Sequence, residues 1–220
     1  VVHSSDNAAN MGDLKGKTIG FAGGQGNKNW LLYSAYASQH FGLDLTSQTT
    51  VKFAAPPMLN QLMLRDQLDA VVNFWHYAAE LKTYNKRSLL TMDEVLGSWQ
   101  ISADVPVIGW LFKQSWAADN QALVDQFFAM SFATRAKMNE DDNLWQSIPS
   151  FTQKYSDDAR PVLIAHYRAG IPTRFDASIK ADLQKLFKVL KANEGTTGVT
   201  GALQSLPDSL FWQSPALAGQ

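Results

Sequence analysis

The sequence predicts an α/β fold built on a mostly parallel sheet, and three observations predict it. An apolar strand over 17–21 runs into the turn Ala22-Gly23-Gly24-Gln25-Gly26 and then into a helix. That is a strand–loop–helix unit whose loop amides can point at a ligand. Two further strand patterns, 49–53 and 69–73, alternate with helical patterns as far as Tyr84. The β-α-β-α-β order implies parallel pairing, with the crossover helices covering the sheet.

Each element has a local cause. The helix over 29–41 starts at Asn27 to Asn29 and is closed by Gly42. Pro56-Pro57 opens a helix over 57–66, proline being tolerated in a first turn, with Met58, Leu59, Leu62 and Met63 as its apolar stripe. Asp69-Ala70-Val71-Val72-Asn73 reads as a buried strand and 74–84 as a helix. Residues 88–90 read as a short strand and 104–112 as a longer one, with Gly109 a point of bending or close packing and Trp110 in the core. From Gln114 onward the pattern is helical. Leu123, Val124, Phe127, Phe128 and Ser131 stripe a helix over 119–138, and Trp145 centres a shorter one over 141–148. Another runs over 157–168, with Pro161 in its first turn and Gly170 past its end. Ile179, Leu183, Leu186, Phe187 and Leu190 set a 3.6-residue period over 178–192. Gly195 to Gly201 is a loop, and Leu206-Pro207 with Leu210-Phe211-Trp212 forms a terminal apolar clasp. So long a helical tail needs a second sheet to pack on, of which Val1 to His3 would be the last strand. The chain shows no signal peptide and opens on what reads as the end of a strand, so N-terminal sequence is expected to be missing.

Composition narrows the function. A net charge of −1 over 220 residues gives no broad attraction to nucleic acid or an anionic membrane. The absence of cysteine excludes disulfides, thiolate metal sites and cysteine nucleophiles. No apolar run approaches the roughly 20 residues of a membrane span. The four histidines are scattered, with no HExxH, and there is no G-x-S-x-G elbow. The glycine turn lacks the Gly-Lys-Ser/Thr of a Walker loop and the spacing of a dinucleotide fingerprint. Seven tryptophans and twelve phenylalanines exceed what a core of this size needs, leaving some to line a cleft.

Four segments carry a family resemblance. Asp13-Leu14-Lys15-Gly16-Lys17 before a strand resembles the opening of the second lobe of periplasmic substrate-binding proteins. Leu68-Asp69-Ala70 resembles the segment after that lobe's second helix, with Asp66-Gln67 where the family has glycine. Asn73-Phe74-Trp75-His76-Tyr77-Ala78 resembles the W-x-P-Y-A segment of the nitrate/sulfonate/taurine/thiamine-precursor (NitT/TauT-like) group of ABC transporter receptors, with His76 in place of the proline. Val105 to Phe112 resembles the crossover strand back to the first lobe. The resemblance implies a type II periplasmic-binding-protein-like fold: two lobes, mostly parallel sheets covered by helices, and a ligand cleft between. Lobe two would be 13–108, and 1–12 with 109–220 the remainder of lobe one.

The resemblance further implies an extracytoplasmic or periplasmic receptor, monomeric and not an enzyme. It would capture a small organic or anionic molecule and deliver it to an ABC permease, with no cofactor, catalytic residue, metal or nucleic acid. It would touch the membrane only through the permease or a lost lipid anchor. Thiamine-pyrimidine synthases share the scaffold, but their cysteine-rich stretch has no counterpart here. An accessory module with a wide apolar cleft, serving a periplasmic enzyme, is the alternative.

Both clusters of candidate ligand contacts follow strands at their carboxyl ends, where open α/β sheets bind ligands. The first is Gly23, Gly24, Gln25, Asn27, Asn29 and Trp30; the second is Asn73, Trp75, His76 and Tyr77. The glycine loop also fits a plain turn, and Trp30 fits the cleft wall and core packing equally. Adjacent rings on a helix start point about 100° apart, so the rings of 75–77 cannot all enter one core, and Trp75 is the best stacking surface. His76 also fits a surface or hydrogen-bonding role. Arg135, Arg160, Arg168 and Arg174 are cations that could grip an anion or simply face solvent.

Overall fold

The computed structural model describes residues 1–172 and 174–212. They divide into two compact units: Val1–Ala103 with Lys180–Ser205, and Asp104–Ile179 with the segment from Leu206.

The first unit holds a five-stranded sheet of order β3-β2-β4-β1-β5. Its strands are β1 (Val2–His3), β2 (Thr18–Ala22), β3 (Thr50–Ala54), β4 (Ala70–Val72) and β5 (Lys86–Arg87). β2 pairs in parallel with β3, Phe21 opposite Phe53, and with β4, Phe21 opposite Val72. β1 is antiparallel to both β4 and β5. Val2–His3 therefore belongs to this sheet, and among the described residues the expected second sheet does not occur. The strand expected at 88–90 forms two residues earlier, at β5, where it finds β1 as partner.

Helix α1 (Lys28–Phe41) begins at Asn27, whose side chain accepts the Asn29 N–H, and ends at Gly42 with φ +61°. Helix α3 (Pro56–Leu64) carries its prolines in the first turn, and α4 (Trp75–Lys82) follows β4 directly. Period-two alternation along β2 decides which helix covers which face. Phe21 points at α1, where Trp30 packs edge-to-face on it at 4.9 Å between ring centres. Gly20 and Ala22 point the other way, toward Leu59 and Met63 of α3. A β-carbon on Gly20 would stand 2.7 Å from Leu68 Cδ1 and 2.8 Å from Leu59 Cδ2, so glycine is what lets α3 approach the sheet. The stripe expected on α3 is buried at Leu59 and Met63, but Met58 is exposed. Two short helices went unpredicted, α2 (Leu45–Gln48) and α5 (Met92–Gly97).

The second unit is helical: α6 (Gln114–Asp119), α7 (Gln121–Glu140), α8 (Asp142–Gln146), α9 (Pro149–Thr152) and α10 (Ala159–Ala169). Helix α11 (Ala177–Asn193) crosses the boundary between the units. Trp145 centres a small core, edge-on to Tyr167 at 4.9 Å and donating its indole N–H to the Met138 carbonyl at 2.8 Å. The expected clasp is present in part, with Phe211 against Phe175 at 5.8 Å and Trp212 against Phe112 at 5.5 Å.

Residues 104–112 are not a strand. A strand needs a partner for its amides, and no other strand lies in this unit among the described residues. Pro106 also lacks an N–H to donate. Ile108 and Leu111 are 83% and 89% exposed, and Trp110, expected in the core, is exposed too. Helix α7 buries only Val124, leaving Leu123 and Phe127 of the expected stripe in the open.

Candidate functional site

The chain leaves β2 for α1 and β3, then returns through α3 to β4 on the other side of β2. Since α1 and α3 cover opposite faces, the connection reverses between β2 and β4. That is the switch point at whose carboxyl edge open α/β sheets form ligand crevices. Both candidate clusters lie there: Gly23 follows β2 and Asn73 follows β4, each one residue past its strand.

The glycine loop is ordered by its own hydrogen bonds. Gly23, at φ +88°, donates its N–H to the Ala54 carbonyl at 3.2 Å, continuing the β2–β3 ladder by one residue. Asn27 donates its N–H to the Gly24 carbonyl at 2.9 Å and caps α1 with its side chain. The positive φ at Gly23 is one that other residues rarely adopt, and a β-carbon there would lie 2.9 Å from Asn27 Nδ2, so a side chain would strain the turn and press on the cap. The N–H groups of Gly24, Gln25 and Gly26 have no intramolecular acceptor among the described residues. Gly24, Gln25 and Gly26 are exposed; Asn27 and Asn29 are half-buried.

Trp30 is 8% exposed, wedged edge-to-face between Phe21 and Phe53, the latter at 5.1 Å. Of its two readings the structure shows core packing. Trp75 is 48% exposed and stands edge-on to His76 at 5.3 Å. His76 in turn lies against Tyr77 at 4.4 Å. Asn73 is tied down. Its side-chain amide donates to the Pro56 carbonyl and to Asn60 Oδ1, both at 3.0 Å, and its Oδ1 accepts the Phe74 N–H at 2.9 Å.

Sequence reasoning missed two neighbours of this edge. Asn60 is a buried polar residue on the inner face of α3, and the only hint of it was a polar residue inside an apolar stripe. Val199 comes from the far end of the chain: its Cγ1 lies 3.4 Å from where a β-carbon on Gly26 would stand. The loop that carries it is stapled by Glu194, whose carboxylate accepts the Thr200 N–H at 2.7 Å and hydroxyl at 2.9 Å. Those bonds hold the Glu194 pKa below the ordinary carboxylate value.

The candidate arginines are committed elsewhere. Arg160 donates to the Tyr155 and Thr152 carbonyls and to Asp157. Arg168 donates to the Met138 carbonyl and to Asp142, at 3.2 and 2.7 Å. The open groove these two line, with Pro161 and Ile164, thus spends its positive charge inside the protein. Arg174 pairs with Asp104 and Asp176, and Arg135 lies over the Phe132 ring. Among the described residues no group of histidine and carboxylate side chains is placed to hold a metal ion, and no helix is long and apolar enough to cross a membrane.

No protein-family model matches the chain, and no curated protein matches it. A solved structure does match in fold: the alkanesulfonate-binding protein SsuA from Xanthomonas axonopodis pv. citri bound to MOPS, with a TM-score of 0.62 at 18% identity. The match covers 87% of this chain, which spans 63% of that protein's length. The fold, a mostly parallel sheet covered by helices, is type II periplasmic-binding-protein-like.

Proposed function

We propose that the protein is an extracytoplasmic solute receptor, binding a small molecule at the carboxyl edge of β2 and β4 and passing it to an ABC permease. The observation that carries this reading is the position of that edge. An exposed glycine loop, whose Gly24, Gln25 and Gly26 amides have no acceptor among the described residues, and an exposed aromatic segment flank the switch point of a fold shared with a sulfonate-binding protein. The loop amides and the N-terminus of α1 favour a polar or anionic head group. Trp75, with His76 and Tyr77 beside it, offers a stacking surface for the body of the molecule. In this reading the receptor is monomeric and periplasmic, belongs to the NitT/TauT-like group, uses 13–108 as its second lobe, and works without a cofactor. Nothing in the arrangement calls for a catalytic group.

A thermal-shift panel tests it, run with MOPS, short alkanesulfonates, taurine, nitrate, thiamine-pyrimidine precursors and aromatic acids. A ligand at one hundred times its dissociation constant adds about 2.7 kcal/mol of stability. A shift that Trp75→Ala abolishes supports the reading; silence across the panel on well-folded protein counts against it.

The exposed apolar residues of the second unit, Ile108, Trp110, Leu111, Leu123, Phe127 and Met130, favour a second reading. There the protein is an accessory module whose own wide apolar cleft binds a partner in the service of a periplasmic enzyme. A silent ligand panel together with 1:1 association with such a partner would select it.

A further inference from the structure

We propose that Asn60 is a positioning residue for the Asn73–Tyr77 segment, fixing where Trp75 and His76 present their rings; this rests on the receptor reading above. Asn60 is the one buried polar residue among those described, at 5% exposure. It sits in the second turn of α3 between Leu59 and Met63, which pack into the apolar cluster under the sheet. Its Nδ2 donates to the Tyr77 carbonyl at 3.1 Å and to Glu80 Oε2 at 3.4 Å. Its Oδ1 accepts the Asn73 side-chain amide at 3.0 Å. One side chain therefore grips the exit of β4 and the first turn of α4, and the candidate rings lie between those two points.

Stability alone does not call for this arrangement. Removing the partners of a buried polar group together, in favour of apolar side chains of the same shape, is often neutral. What a fully bonded polar network adds is direction: it selects one arrangement of the elements it joins. The network here is well bonded, since Asn73 also reaches the Pro56 carbonyl at the start of α3 and the Phe74 N–H at the start of α4. The carboxyl ends of β3 and β4 are thereby held as one piece at the binding edge. An affinity that depends on aromatic placement then depends on Asn60, although its buried amide sits beneath the edge rather than on it.

The test uses the full chain, wild type, Asn60→Leu and Asn60→Asp, with MOPS as the probe. Three quantities are read: the urea unfolding midpoint, amide hydrogen exchange along the chain, and MOPS affinity by calorimetry. Asn60→Leu takes one partner from the Asn73 amide and one from the Tyr77 carbonyl, so it is expected to fold with a lowered midpoint. Exchange at Phe74–Ala78 should rise about tenfold more than at Ile19–Phe21, the scale of one lost hydrogen bond. MOPS affinity should fall by a similar factor. Asn60→Asp keeps the acceptor for Asn73 but sets a buried carboxylate oxygen against the Tyr77 carbonyl and the Glu80 carboxylate, so at neutral pH it should raise exchange and weaken MOPS binding at least as much as Asn60→Leu. Unchanged exchange and affinity in folded variants would overturn the proposal, as would exchange rising uniformly. Variants that do not fold would show Asn60 to be structural only, which also overturns it. If wild type does not bind MOPS, a sulfonate ligand is what fails. The exchange pattern still decides for Asn60: a rise larger at Phe74–Ala78 than at Ile19–Phe21 supports it, and a uniform rise or none sinks it.

Discussion

The side-chain nitrogen of Asn73 reaches both the Pro56 carbonyl and Asn60 Oδ1, each at 3.0 Å, so the residue leaving β4 is bonded to two turns of the helix that precedes the strand. A residue on the rim of the candidate site is thus also a brace of the fold. Removing it acts on both.

Asn73→Ala leaves Asn60 Oδ1 buried without its donor and frees the Pro56 carbonyl. The expected loss is about 1–3 kcal/mol, the desolvation cost of a stranded buried acceptor, read from urea unfolding. Asn73→Asp keeps the acceptor for Phe74 but turns both other contacts into facing oxygens. It should destabilise at least as much as alanine at neutral pH. An unchanged midpoint for Asn73→Ala would show that the brace carries no net energy.

Two tryptophans, forty-five positions apart, should separate stability from binding. Trp30 fills the space between Phe21 and Phe53, so Trp30→Ala is expected to cost about 3–5 kcal/mol. Trp75 is half in solvent, so Trp75→Ala should stay within about 0.5 kcal/mol of wild type. Only the second should remove ligand-induced thermal shifts while leaving the apo melting curve in place. If Trp75→Ala melts as early as Trp30→Ala, the ring is a packing residue and the stacking role is lost.

The difference between those rings marks the limit of what the sequence makes legible. β2, α1, α3, β4 and α11 were readable because their signals are local: a side-chain cap, a left-handed glycine at Gly42, prolines in a first turn, a regular apolar period. The position of both candidate clusters at strand ends was readable for the same reason. Which ring faces the sheet depends on strand pairing, and pairing is set by residues far away in sequence. Residues 104–112 have the composition of a strand apart from Pro106, and among the described residues of their unit they find no strand to pair with. The approach of Val199 to Gly26 and the burial of Asn60 are likewise tertiary facts. Helix α5 is a different case: Thr91 and Glu94 form a capping box, a local signal that reading for apolar periods alone passes over.

Gly20 tests how tightly α3 is seated. A β-carbon there would collide with Leu59 and Leu68, both fully buried. Gly20→Ala should destabilise by about 1–3 kcal/mol through overpacking, although alanine suits a strand no worse than glycine. Leu59→Ala in the same chain makes room, so the double variant should lose less than the sum of the two singles. Strict additivity in a double-mutant cycle would mean that the two sites do not share the space the geometry assigns them.

Acid should weaken the start of α11 in a defined window. Asp176 Oδ1 accepts the Ser178 hydroxyl at 2.6 Å and the N–H groups of Ser178 and Ile179 at 2.9 and 3.1 Å. Led by the Ser178 hydroxyl, these bonds lower its pKa from 3.8 to about 2. A carboxyl whose folded pKa is depressed gives stability that is complete above the unfolded value and drains away as pH falls through the folded one. The contribution of Asp176 is therefore full at neutral pH, begins to fall near 3.8, and is gone below about 2. Asp176→Ala should differ most from wild type above pH 4, and the gap should close on acidification. Urea unfolding of both proteins across that range measures it. A gap that stays constant from neutral pH down to the acid limit would show that the carboxylate charge does not stabilise this helix start.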